Sequence, residues 1–466
     1  TRNTDSCVKL PSANASGCSP KGLTTEMLRD MGCDKIPQRG WIPVMTPGAV
    51  RGWAALSERY GKLPFEELLA PAVEYAEKGY AVTEVISDLW ERAFKLFADR
   101  EGDEFRPWAE TFAPNGHAPR PGEIWRCREM AETLRKIAAT KGAALYSGEL
   151  ADRIDAFARQ SGGYIRKEDL EEYQPLWVDP VKVNYRGTDV WEMPPNGDGL
   201  VVLMALQVLN NIELDRENPD SEENFHKIIE AMKLGYEDGL KYISDPRTMT
   251  VPVEKLLSAE YAKKRSRLIG EEAMLPVPGD PLAGSTIYLC TADSEGNMVS
   301  LIQSNFNGFG SGVVVPGTGI SLQNRGFGFS LDPESPNVLA PGKKSFHTII
   351  PGFLSKDGRA IGPFGVMGAF MQPQGQLQVV TNLIDFGMNP QEALDRPRWE
   401  WIRGKKIELE ESMPEALAEA LRARGHEVSY NPDTTVFGRG QIILRDEDGV
   451  LVGATEPRAD GCVAVW

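Results

Sequence analysis

Thr286 opens a short apolar run, Thr286-Ile287-Tyr288-Leu289-Cys290, directly after the Gly/Pro-rich stretch from Pro276 to Gly284. A threonine hydroxyl is a weak nucleophile until a base takes its proton. When the threonine is the first residue of a chain, its own α-amine can be that base. The amine's pKa of about 7.7–8.0 suits work near neutral pH. Inside this chain, such a terminus requires scission of the Ser285–Thr286 bond. The same residue also suits an ordinary strand start, since β-branched side chains favour strands. Other reactive side chains are sparse. The four histidines (His117, His226, His347, His426) and the six cysteines (Cys7, Cys18, Cys33, Cys127, Cys290, Cys462) show no metal-ligand spacing. We therefore expect no metal site, no cofactor and reduced thiols.

The elements that must position Thr286 follow from periodicity. Residues 49–79 read as helical, broken at Gly61-Lys62-Leu63-Pro64, with Leu68, Leu69, Ala72, Val73 and Ala76 as an apolar stripe. Further amphipathic helices are expected over 127–141, 148–159 and 222–242, and one late helix lies between Ser412 and Gly425. From about residue 286 the pattern turns to short β-like runs at 287–290, 299–302, 313–315 and 320–322. The border, Pro276 to Gly284, reads either as a linker or as a processing loop ending at Thr286.

The 466 residues are 41% hydrophobic, ample for a large core, and carry a net charge of -16. That charge argues against a nucleic-acid surface. No run of about 18 apolar residues suggests a membrane span. Thr1 to Leu10 hold no apolar signal segment, so a cytoplasmic location is expected unless a leader was removed.

Several strings, taken in order, resemble the γ-glutamyltransferase family of N-terminal-nucleophile hydrolases. They are Val44 to Trp53 with Leu69-Ala70-Pro71-Ala72; Thr286-Ile287-Tyr288 with Asp293 to Asn297; and Gln303-Ser304-Asn305 with Gly308 to Gly312. Gln323-Asn324-Arg325-Gly326, Ala340 to Lys343 with His347 to Pro351, Gly365 to Ala369, and Gly453 to Arg458 complete the series. The resemblance implies an α+β fold, a four-layer αββα sandwich. It also implies a precursor cut at Ser285–Thr286 into fragments 1–285 and 286–466 that stay together as one intertwined domain. Thr286 would then be the nucleophile, Ser304 the second hydroxyl beside it, and the Gly368-Ala369 amides the oxyanion hole. The partners implied are a small amide substrate and water or an amine acceptor, with further homo-oligomerisation open.

The chain also departs from the pattern. The position of the arginine that holds a glutamyl α-carboxylate in the family falls on Cys18. Phe327-Gly328 stands where an aspartate pair is expected, and Phe346-His347 where a serine pair is expected. Arg325 becomes the preferred carboxylate anchor, with Asn324, Asn305, His347 and Phe327 as further substrate contacts; Asn307 is a weaker one. This pattern is nearer the family's amidohydrolase and acylase branch, whose donors lack a full glutamyl zwitterion. The family's amino-terminal GGNAxDA-type helix and glycine-rich strand have no match here. The alternative left open is an unprocessed, catalytically silent binding or scaffold protein.

Overall fold

The computed structural model describes residues 8–276 and 285–466. The chain divides into two compact units, each drawing on sequence from both sides of Ser285–Thr286. Residues 277–284, where the sequence leads one to expect a linker or processing loop, lie outside the described residues.

One unit comprises 13–178 and 304–347. Its helices include α1 (Ala49–Tyr60), α2 (Phe65–Lys78), α3 (Arg128–Ala139) and α4 (Glu149–Ser161). All four lie where the periodicity places them. The predicted stripe on α2 is only partly correct. Phe65 and Ala76 are buried, but Leu68 is 45% exposed. Val313 and Val315 enter one apolar core with Ile137, Leu150 and Ile154, while Val314 enters another with Trp90, Trp108 and Phe112. The side chains alternate as in a strand. The pairing with 320–322 shrinks, however, to the single bridge Val314–Ser321, flanked by Val315 N to Ile320 O and Leu322 N to Val313 O, each 2.9 Å.

The other unit comprises 1–12, 179–303 and 348–466. Its strands are β1 (Val181–Tyr185), β2 (Thr188–Glu192), β3 (Ser285–Ala292), β4 (Met298–Phe306, of which 298–303 belong to this unit), β5 (Gly352–Lys356), β6 (Arg359–Met367), β7 (Trp399–Arg403), β8 (Lys406–Glu410), β9 (Glu427–Asn431), β10 (Arg439–Arg445) and β11 (Leu451–Thr455). A six-stranded sheet runs β11-β10-β6-β5-β2-β1, antiparallel throughout. Two of its strands, β1 and β2, precede Thr286, but the part before Thr286 is mainly helical and the part after it opens on strands, as the sequence pattern leads one to expect.

Helices α5 (Gly199–Leu209), α6 (Glu222–Tyr242), α7 (Met371–Ile384) and α8 (Glu415–Ala423) complete the set used here. Alternate residues of β6 show how layers stack on the sheet. The Val366 side chain meets Gly375 of α7, whereas Gly365 faces the Tyr288 ring of β3. A Cβ on Gly365 would sit 2.6 Å from that ring, so glycine is what allows the β3–β4 ribbon to lie so close. The unit is thus built as helices, sheet and ribbon, and the class is α+β.

Candidate active site

Thr286 is buried, on the same face of β3 as Tyr288. Ile287 points the other way and is 55% exposed. The face of β3 that carries Thr286 therefore packs on β6 and β10.

Strand β6 ends at Met367, and the chain then turns sharply into α7. Gly368 has φ 147° and Ala369 φ 51°, both in the region that favours glycine. The carbonyls of Gly368 and Ala369 accept from Met371 N (2.9 Å) and Gln372 N (3.1 Å), so they point into the helix. Their own N–H groups precede the helix start, where helices leave amides available to an anion.

The turn is held from three sides. Tyr236 of α6, fully buried, donates its hydroxyl to the Phe370 carbonyl. Gly438 Cα lies 3.0 Å from where a Gly368 Cβ would be. Arg398 Nη1 in turn donates to the carbonyls of Phe437 (3.1 Å) and Gly438 (3.0 Å).

Arg398 belongs to a buried ionic knot. Its Nη2 meets Glu456 Oε2 at 2.7 Å, and Arg458 bridges Glu456 Oε1 (2.5 Å) and Glu410 Oε2 (2.8 Å). Glu456 Oε2 also accepts Gly440 N–H at 2.8 Å. The Glu456-Pro457-Arg458 string thus acts as a buried brace behind the Gly368-Ala369 turn.

Sequence reasoning missed two groups in this unit. The Gln372 amide, in the first turn of α7, is fully buried with no hydrogen-bond partner for either atom among the described residues. Glu192 of β2 is equally buried, and neither carboxyl oxygen has a partner there. Burial, and then the nearby Asp198 carboxylate, push its pKa well above the usual range. Nothing local in the sequence marks either residue.

The substrate-contact residues predicted from sequence lie in the other unit. Ser304 Oγ accepts Phe306 N–H at 2.7 Å. Arg325 is buried, with its guanidinium 4.4 Å from the centre of the Phe306 ring. Phe327 lies at 6.4 Å from the same ring. Asn324 is a structural hub: Nδ2 donates to Gln38 O (2.9 Å) and Asn307 Oδ1 (3.1 Å), and Oδ1 accepts Asn307 N–H (3.2 Å). Asn305 supplies its carbonyl to Asn324 N at 3.2 Å. His347 is buried, and burial, helped by Arg325 and Lys344, lowers its pKa far below the usual histidine value. The structure therefore gathers Phe306, Arg325 and Phe327, and it brings Lys344 and His347 into their electrostatic range.

The gamma-glutamyltranspeptidase profile matches residues 4–466. The chain belongs to the gamma-glutamyltranspeptidase family. Its relatives include a glutathione hydrolase-like proenzyme of Bacillus subtilis, 36% identical over 96% of this chain and 85% of the relative. An oxamate amidohydrolase proenzyme of Klebsiella pneumoniae is 35% identical over 97% of this chain and 86% of the relative. Among solved structures, a cephalosporin acylase from Bacillus halodurans superposes with a TM-score of 0.95 at 53% identity, covering 98% of this chain and 85% of that one.

Family membership gives the ordered strings a common origin, from Val44-Met45 near the start to Glu456-Pro457-Arg458 near the end. His226 and His426, two hundred residues apart, meet with Nδ1 and Nε2 at 2.9 Å, so two histidines do have a partner of metal-ligand type. Sequence spacing could not reveal that pair, because only the fold brings α6 to the chain after α8. Among the described residues, no helix is long and apolar enough to cross a membrane.

Proposed function

We infer that this chain is a self-processing amidohydrolase of the acylase type, with Thr286 acting first on its own backbone and then on substrate. The observation that carries the reading is the packing of two strands. β3 begins at Ser285–Thr286 directly after the loop, and β6 ends in the Gly368-Ala369 turn; the two lie face to face.

In processing, Thr286 Oγ attacks the Ser285 carbonyl, and the acyl group moves from nitrogen to oxygen. Water then hydrolyses the ester, leaving a Ser285 carboxylate and a Thr286 α-amine. In turnover that amine takes the hydroxyl proton, and Oγ attacks the substrate amide. The proton passes to the leaving amine, and water releases the acid. The Gly368 and Ala369 amides stabilise each oxyanion, a contribution of about 10²–10³ in kcat per donor. Ser304 tunes the hydroxyl.

The donor we assign is a small acyl amide with a terminal carboxylate, of glutaryl or oxamate type rather than γ-glutamyl. Arg325 is its anchor, with His347, Asn305 and Phe327 beside it and Asn324 holding their loops. The names of the acylase and oxamate amidohydrolase relatives support this class. Fragments 1–285 and 286–466 remain associated, and a second helical layer completes an αββα sandwich.

Intact mass and a denaturing gel test the processing. Purified protein is expected as two separate fragments, 1–285 and 286–466, and Thr286→Ala as one chain without amide hydrolysis. Turnover retained in Thr286→Ala would sink the mechanism. A donor panel of glutaryl, oxamate-type and γ-glutamyl amides tests the substrate class, and preference for the γ-glutamyl donor would overturn it.

A further inference from the structure

The fold assembles a second cluster in the six-stranded-sheet unit. His226 and Glu230 stand one turn apart on α6, and His426 follows α8. His426 Nε2 lies 2.9 Å from His226 Nδ1 and 3.8 Å from Glu230 Oε1. One ligand atom from each of the three residues falls within 4.8 Å of the others, and all three residues are buried.

The hydrogen bonds orient the rings. His226 Nε2 lies 2.9 Å from the Gly270 carbonyl. A carbonyl only accepts, so Nε2 carries the hydrogen, and the neutral ring presents a bare lone pair at Nδ1. A backbone carbonyl fixing the far nitrogen is the usual second partner of a metal-binding histidine. On His426, Nδ1 is buried and has no hydrogen-bond partner among the described residues.

We propose that His226 Nδ1, His426 Nε2 and Glu230 Oε1 form a site for one divalent cation of the zinc type. At about 2.0–2.1 Å per nitrogen, two tetrahedral ligands stand a little over 3 Å apart, so the ring pair opens by only a few tenths of an ångström. His426 then carries its hydrogen on Nδ1. Two imidazoles select Zn²⁺ and similar ions, whereas Mg²⁺ and Ca²⁺ require oxygen ligands. Lys233 Nζ lies 2.6 Å from Glu230 Oε1, and Lys405 and Arg424 are also near the rings. These cations oppose a second positive charge, and they disfavour most strongly the ions that bind through carboxylate alone.

The site also grips the chain that leads to the loop at 277–284. Glu230 Oε2 accepts Met274 N–H (3.0 Å), Lys233 Nζ donates to Met274 O (3.3 Å), and Ala273 N donates to Arg424 O (2.7 Å). A bound ion would lock 270–274 to α6 and to the turn after α8, whether or not Thr286 is a nucleophile.

The test uses tag-free full-length protein, stripped with chelator and then titrated with Zn²⁺, Co²⁺ or Mg²⁺. We expect one equivalent of Zn²⁺ bound, a Tm that rises with Zn²⁺ but not Mg²⁺, and visible bands of tetrahedral Co²⁺. His426→Gln and Glu230→Gln each lose the Co²⁺ bands, and His426→Gln weakens Zn²⁺ binding at least tenfold. Equal Zn²⁺ uptake by parent and His426→Gln, or no Co²⁺ bands in the parent, overturns the site.

Discussion

Ala369 is the residue on which the Gly368-Ala369 turn, the proposed oxyanion site, depends most finely. Its φ of 51° costs an alanine about 1–2 kcal/mol relative to the right-handed region. Glycine at 369 would relieve that strain but lose a buried methyl, worth about 0.8 kcal/mol, and add about 0.5–1 kcal/mol of chain entropy. Ala369→Gly is therefore expected to leave unfolding free energy within about 1 kcal/mol of the parent, with amide turnover intact, because the N–H is unchanged. Ala369→Val is different. A β-branched residue resists positive φ, so the donor is misplaced, and kcat should fall about 100-fold or more. Steady-state kinetics and urea unfolding on both variants check this; a fully active Ala369→Val would remove the turn from the mechanism. At this scale the sequence is informative where a residue's type suggests its chemistry, and the roles proposed for Thr286 and the Gly-Ala pair rest on that. It was silent where function depends on surroundings. Asn324 looks like a ligand in the sequence, yet the fold spends its amide on Gln38 and Asn307. Gln372 looks like a helix-surface residue, yet it is buried without a partner.

Among the elements, α7 shows why part of the fold was unreadable. Its sequence, Met371-Gln372-Pro373-Gln374-Gly375-Gln376, carries proline, glycine and polar residues where an interior helix is expected to be apolar. The structure resolves the conflict through backbone pairing. Gln374 exchanges bonds with Trp401 (N to Oε1, 2.7 Å; Nε2 to O, 3.1 Å), and Gln378 does the same with Trp399 (3.2 and 3.0 Å). The glutamine amides thus act as a substitute strand along the edge of β7, satisfying buried peptide groups. Helix α5 was missed for the opposite reason. It is apolar on every side, so it has no amphipathic period to detect. Helix α6 was read to the residue because it starts at a serine cap, with acidic residues in its first turn and a lysine in its last. The ionic knot behind the Gly368-Ala369 turn hinges on Glu456. Glu456→Gln leaves Arg398 and Arg458 buried with half their countercharge. Removing one partner of a buried pair typically costs about 3–5 kcal/mol. Denaturant unfolding should show a loss of that order, together with reduced amide turnover as Gly438 loosens against Gly368. A loss under about 1 kcal/mol would mean that the knot is not the brace described here.

For the molecule as a whole, buried titratable groups set how stability responds to pH. His226, His347 and His426 all have folded pKa values below the unfolded one, with His426 lowered to about 3. Below pH about 6.5 the unfolded chain binds more of these protons than the folded protein does, so their contribution to stability falls as the pH drops. Glu192 works in the opposite direction. Its folded pKa is raised well above 4.5, so the folded protein keeps a proton that the unfolded chain releases, and stability falls as the pH rises from about 4.5. Glu400, raised to about 8 by burial and then by Glu408, acts in the same direction as Glu192. Near pH 5.5 these two carboxyl protons offset most of the histidine protons, and at about 1.4 kcal/mol per proton per pH unit the net slope towards acid is at most about 1 kcal/mol per unit. Urea unfolding of chelator-treated protein at pH 5.5, 6.5 and 7.5 measures this slope. Glu192→Gln removes one of the two opposing groups. The variant should gain little at pH 5 and progressively more towards pH 8, because its parent pays to keep a carboxyl neutral only where the unfolded carboxyl would ionise. A gain independent of pH would show that Glu192 is ionised in the folded protein, and that Asp198 or another neighbour carries the proton instead.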